Sequence, residues 1–158
     1  MLFRSISKWV DTQLSWLVRS DDGGTGHWEF FYSTDGTSYV QVTGSNIKDG
    51  QWHHIVFTQS TGANKTFRLF VDGILRGYVV EANWTQGAAT SNIYFGYQGP
   101  GTYAEVNRYF TGALSNLRIS TQIISTYSTT STTLGTAVFS VPTTDLRSEE
   151  HTSELQSH

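Results

Sequence analysis

The chain has 158 residues, with 13 acidic and 10 basic side chains, a net charge of −3, no cysteine and 14% aromatic residues. Such a weak, mixed charge gives no electrostatic footprint for nucleic acid or an anionic membrane surface. No apolar run reaches the ~18 residues of a membrane-spanning helix, so membrane insertion is not expected, and the lack of cysteine means the fold does not rely on disulfides.

Taken in chain order, strands are predicted near residues 14–19, 28–32, 39–42, 53–60, 67–71, 74–80, 92–96, 113–120 and 137–141. Their connections are Asp-Gly or Gly-rich turns, and no stretch carries helical periodicity. Along residues 53–60, Ile55 and Phe57 fall on one face and Val56 and Thr58 on the other, β-branched and aromatic types that suit a pleated, largely buried surface. Residues 67–71 have the same character, and Asp72-Gly73 supplies the two positive-φ positions of a type I′ turn before residues 74–80 run back. Short strands in this number fit two packed antiparallel sheets better than one.

Four blocks stand in a fixed order: Asp49-Gly50-Gln51-Trp52-His53-His54-Ile55-Val56, Leu69-Phe70-Val71-Asp72-Gly73, Ile93-Tyr94-Phe95-Gly96, and Phe110-Thr111-Gly112-Ala113-Leu114-Ser115-Asn116-Leu117-Arg118-Ile119. Together they resemble the laminin-G-like branch of the concanavalin A-like lectin and glucanase jelly rolls. Upstream, Ile6-Ser7-Lys8-Trp9 and Phe31-Tyr32-Ser33-Thr34-Asp35-Gly36 are similar to the same family. The resemblance implies an all-β, two-sheet antiparallel jelly-roll sandwich over residues 6–146. The family strand that normally precedes Ile6-Ser7-Lys8-Trp9 has no match, which implies a sandwich truncated at its N-terminal strand, with an unpaired edge left in it.

Both ends look foreign to that domain. Residues 147–158, Arg147-Ser148-Glu149-Glu150-His151-Thr152-Ser153-Glu154-Leu155-Gln156-Ser157-His158, resemble the in-frame translation of a sequencing adapter, and Met1-Leu2-Phe3-Arg4-Ser5 resembles its reverse complement. The expected organisation is therefore an adapter artefact at 1–5, a laminin-G-like β-sandwich at 6–146, and a disordered adapter artefact at 147–158. On that reading the native termini and neighbouring domains of the same longer chain lie beyond this sequence.

Residues 120–144 hold fourteen Ser or Thr, a linker-like composition, yet Ile123, Ile124, Tyr127, Val138, Phe139 and Val141 are too apolar for a free linker. A long surface crossing that ends in a last strand, closed by Pro142, is expected. Residues 135–139 and 141–144 also resemble the closing segment of laminin-G-like modules in phage tail and virion proteins.

Catalysis has no visible carrier. A retaining glycosidase sets two carboxylates roughly 5 Å apart, commonly on alternate positions of one strand. Of the glutamates within 6–146, Glu29, Glu81 and Glu105 each lack an acidic partner two residues away. His53 and His54 are adjacent, so a strand turns them to opposite faces and they do not share a metal ion; one ring near the core and one outward is expected, with Trp52 in the core. No Gly-x-Ser-x-Gly elbow is present, and Gly23-Gly24-Thr25-Gly26 leads into a strand with no lysine or helix after it.

Recognition residues remain. Trp84, Tyr97 and Tyr103 sit in loop-like surroundings, where an aromatic face beside polar groups suits a pyranose ring, or where the rings serve as local lids. Some laminin-G-like domains bind calcium at the sandwich rim, and Asp21, Asp22, Asp35 and Asn107 are the loop oxygens that the resemblance nominates. The expectation is a non-catalytic carbohydrate- or protein-binding adhesion module of a larger extracellular or phage virion protein, its partner a glycan or a cell-surface protein. Two alternatives stay open: an accessory or degraded module of a glycoside hydrolase, and a structural spacer with no ligand.

Overall fold

The computed structural model describes residues 4–10, 13–20, 27–47, 49–82, 90, 92–95, 115, 117–120, 122 and 124–142, with the backbone alone at 4, 5, 9, 10 and 13. In chain order the strands are β1 (Arg4–Val10), β2 (Gln13–Ser20), β3 (His27–Tyr32), β4 (Val40–Asn46), β5 (Ile55–Gln59), β6 (Lys65–Val71), β7 (Ile74–Glu81) and β8 (Tyr94–Phe95), followed by a single 3-10 turn at Ser125–Tyr127. They form two antiparallel sheets, one ordered β4-β3-β2-β1-β8 and the other β5-β6-β7. The chain is an all-β sandwich, as its sequence pattern predicts.

The core lies where the sheets face each other. Strand alternation sends Tyr32 and Val42 inward from the large sheet and Phe67, Leu69 and Val71 inward from β6, with Trp28, Phe30, Val40, Ile55, Phe57 and Val79 around them. The Tyr32 ring stacks on Phe67 with centroids 3.9 Å apart, and its hydroxyl donates to Glu81 Oε1 at 2.9 Å. The sheets approach so closely at β4 and β7 that a Cβ on Gly77 would lie 2.5 Å from the Thr43 carbonyl oxygen. The Asp72-Gly73 turn has φ of 52° and 78°, the two left-handed residues of the expected hairpin, with Val71 opposite Ile74.

Outside the small sheet runs a strap formed by residues 124–139. Its backbone follows the β7 edge, where Leu75 N–H donates to Thr136 O, Gly135 N–H to Leu75 O, and Val138 N–H to Gly73 O at 2.8 Å. Its side chains cover the outward residues of β6 and β7: Phe139 meets Phe70 edge-on at 5.3 Å and Tyr127 at 4.8 Å. Phe70 and Leu75 are thereby fully buried, and Arg68 donates from Nε to Ser131 O at 2.8 Å. The linker-like segment is in fact a lid with an apolar underside.

At Ile6 and Ser7, β1 pairs with β8 through Phe95 and Tyr94. Two expectations need correction. Of the strand expected at 113–120, the described residues Ser115 and 117–120 are not strand, and Leu117 and Ile119 are exposed; alternation makes a strand only where an edge accepts its hydrogen bonds. The strand expected at 137–141 reduces to one bridge, Ala137 to Ile74, since the N–H groups of both Val138 and Phe139 turn to Gly73 O.

Candidate functional site

On the large sheet the residues between the core positions point outward. With Phe30, Tyr32, Val40 and Val42 inward, Glu29 and Phe31 of β3 and Gln41 and Thr43 of β4 share the opposite face, beside Arg19 of β2. Arg19 Nε donates to Glu29 Oε2 at 2.8 Å, and Gln41 Nε2 donates to Glu29 Oε1 at 2.6 Å and to Thr43 Oγ1 at 2.9 Å. The Arg19 guanidinium lies 4.3 Å above the Phe31 ring, whose other neighbour is Tyr39, edge-on at 5.3 Å. Glu29 and Phe31 are buried beneath this layer, while Tyr39 is 51% exposed and Gln41 and Thr43 are exposed.

An exposed ring, an amide and a hydroxyl thus stand at alternate positions 39, 41 and 43, locked from below by an ion pair. Such a row offers a flat apolar surface followed by hydrogen-bonding groups, the chemistry that a sugar's apolar face and hydroxyl rim require. Sequence reasoning missed it. Its signal was Tyr39-Val40-Gln41-Val42-Thr43, alternate polar and aromatic residues set against alternate valines, but recognition was sought in loops and not along a strand.

The turn from β3 to β4 fixes where Tyr39 sits. Asp35 Oδ1 accepts the N–H of Thr37 at 2.8 Å and of Ser38 at 2.7 Å, and Ser33 Oγ accepts the N–H of Gly36. Those hydrogen bonds, from Thr37 and then Ser38, hold the Asp35 carboxyl well below the usual carboxylate range. Gly36 O in turn accepts Leu14 N–H, tying the turn to β2. Asp35 therefore braces the turn through Oδ1. No group of three or more His, Asp or Glu side chains suited to a metal ion occurs among the described residues. Asp21, Asp22 and Asn107, and the aromatic residues Trp84, Tyr97 and Tyr103, lie outside the described residues.

The histidine block is tied into the fold by its own neighbours. His53 is held between Asp72, Nδ1 to Oδ2 at 2.6 Å, and Asp49, Nε2 to Oδ1 at 2.9 Å. Burial pulls the His53 ring toward lower pKa, yet its bonds to Asp72 and Asp49 outweigh this and raise it. His54 turns instead to the strap, with ring centroids 5.8 Å from Tyr127 and 6.0 Å from Phe139, and desolvation lowers its pKa. The two rings serve different neighbours, as adjacency on an extended chain requires. Trp52, expected in the core, is 70% exposed. It precedes β5 in an irregular stretch, where strand alternation does not direct it inward.

Comparison with curated proteins and with solved structures returns no match. A family model described as the concanavalin A-like lectin/glucanases superfamily, of the laminin G type, matches residues 3–127. That match takes in every strand of both sheets, and the chain belongs to the concanavalin A-like lectin/glucanase superfamily.

Proposed function

We propose that this domain binds carbohydrate without transforming it, on the outer face of β3 and β4. The observation that carries the reading is the row Tyr39, Gln41, Thr43, exposed from the residue before β4 into the strand and supported by the Arg19–Glu29 pair. A rigid row of this kind loses little entropy when a sugar docks, which favours recognition by a preformed surface. The non-catalytic part of the proposal rests on the carboxylates. Glu29 is engaged by Arg19 and Gln41, its same-face neighbours along β3 are His27 and Phe31, and Glu81 accepts the Tyr32 hydroxyl. In this reading the domain is an adhesion module of a larger extracellular or phage virion protein, with calcium at the rim loops as an optional ligand.

A glycan array probed with the full chain, with calcium and with chelator, tests this. Binding that falls about tenfold in Tyr39→Ala supports the site, since loss of a stacking ring removes roughly 1 kcal/mol or more. Binding that survives Tyr39→Ala and vanishes in Trp84→Ala moves recognition to the loops. No binding in either condition favours a spacer, and release of reducing sugar from β-glucan overturns the non-catalytic reading.

A further inference from the structure

His53 and His54 stand where three segments meet: the loop at 49–54, the β6–β7 turn, and the strap. The two rings have opposite requirements. Both nitrogens of His53 face carboxylate oxygens, and a neutral imidazole has only one N–H to give, so only the cation satisfies Asp49 and Asp72 together. His54 is enclosed by Tyr127 and Phe139, its Nε2 lies 3.5 Å from the Tyr127 hydroxyl, and its Nδ1 is buried with no partner. A protonated His54 would bury an unpaired N–H and a charge among aromatic rings.

The surrounding charges are few. The Asp72 carboxylate favours the charged form of His54, but one of its oxygens is taken by the His53 ring and the other by the His54 backbone N–H at 2.9 Å. β5 has no charged side chain; β6 has Lys65 and Arg68, the latter bound to Ser131 O; β7 has Arg76 and Glu81, with Glu81 on the Tyr32 hydroxyl. Residues 124–142 carry no charge at all, and Tyr127 is their one titratable group.

We propose that His53 and His54 form a two-sided pH latch for the strap, which stays docked while His53 is charged and His54 is neutral. The mechanical link is the β6–β7 turn. Asp72 N–H donates to His54 O and Gly73 O receives Val138 N–H, so the turn that the histidine block holds is the one on which the strap is anchored. Protonation of His54 opens the aromatic cluster beneath the strap. Deprotonation of His53 gives up one of its two carboxylates and loosens the turn.

The signs follow from linkage. His53 has a raised pKa in the fold, so its contribution is complete below the unfolded value of 6.5 and is lost as pH rises through the folded one. His54 has a lowered pKa, so its contribution is complete above 6.5 and is lost as pH falls through the folded one. Docking is therefore strongest between the two folded values.

Amide exchange of the full chain across pH 5 to 8.5, corrected for intrinsic rates, tests the latch. The reporters are Val138 and Leu75, whose N–H groups bind Gly73 O and Thr136 O, with Ser33, bound to Ser15 O in the large sheet, as control. Val138 and Leu75 protection should peak between the two titrations and fall by up to about tenfold per pH unit on each side, while Ser33 holds. His54→Phe should flatten the acid limb and His53→Asn the alkaline one. Protection that is flat with pH, limbs that survive both variants, or Ser33 falling in parallel overturns the proposal. Ring titration of the unmodified protein by NMR guards against a variant that misfolds: the latch requires His53 and His54 to titrate on opposite sides of 6.5, and a shared midpoint overturns it.

Discussion

The outward residues of the small sheet, Phe70 and Leu75, are completely buried because the strap lies over them, whereas Tyr39, Gln41 and Thr43 on the outer side of the large sheet are exposed. Both faces arise from the same two-residue alternation, so composition makes the difference. Where the outward positions are Phe and Leu, water must be excluded, and a chain segment with its own aromatic residues is held down to do it. Where they are an aromatic, an amide and a hydroxyl, at the β4 margin of the large sheet, the row stays exposed and is fastened from below through Arg19 and Glu29, although Leu17 and Phe31 farther along the same face are buried. The covered face stabilises the domain, and the exposed row is where the proposed sugar contact falls.

The largest expected effect breaks the covered side. Phe70→Ala removes a ring in contact with Phe139 and leaves a cavity under the strap, with an expected cost of about 3–5 kcal/mol in urea unfolding. Exchange at Val138 should accelerate in the same variant. A loss below about 1 kcal/mol would mean that the strap covers the face without stabilising it, and the contrast between the two faces would collapse.

Next comes the support of the open side. Glu29→Leu leaves the Arg19 guanidinium without its carboxylate and Gln41 without its acceptor. The side chains of Arg19 and Glu29 are 19% and 9% exposed, so the expected loss is about 2–3 kcal/mol, short of that for a fully buried pair. Adding Arg19→Met should restore much of it, because removing both charges ends the uncompensated burial. Tyr39→Ala, by contrast, should cost under about 1 kcal/mol in stability, since half the ring already faces water. A change in glycan binding without a matching change in unfolding is the signature of a recognition residue.

How much of this was legible in the sequence depended on the range of the interaction. The Asp72-Gly73 hairpin was readable because the turn's demand for two positive φ values is met by two adjacent residues. Ile55 and Phe57 were readable as one face because alternation is local, and both pack on the core. The strap was half readable: Tyr127, Val138 and Phe139 marked it as docked, but its course along the β7 edge is decided by Gly73 and Leu75, some sixty residues upstream. The row at 39, 41 and 43 was written in the alternation that leads into β4, yet nothing in that pattern says which of its two sides meets the small sheet. That is settled by the packing of Val40 and Val42 on the core they share with β6.

Trp52 carries the smallest expected effect and the sharpest check on how the block before β5 is built. The polar block Asp49-Gly50-Gln51-Trp52-His53-His54 is expected to bury its tryptophan, but the ring enclosed by aromatic neighbours is that of His54, His53 is gripped by two aspartates, and Trp52 is left 70% exposed. A ring so exposed contributes little by burial, so Trp52→Ala should shift unfolding by no more than about 0.5 kcal/mol. The neighbouring substitution Asp72→Ala should cost clearly more, because it takes the acceptor from both the His53 ring and the His54 N–H. Equal losses in the two variants would place Trp52 within the packing of the block and reverse the order of importance that the hydrogen bonds assign.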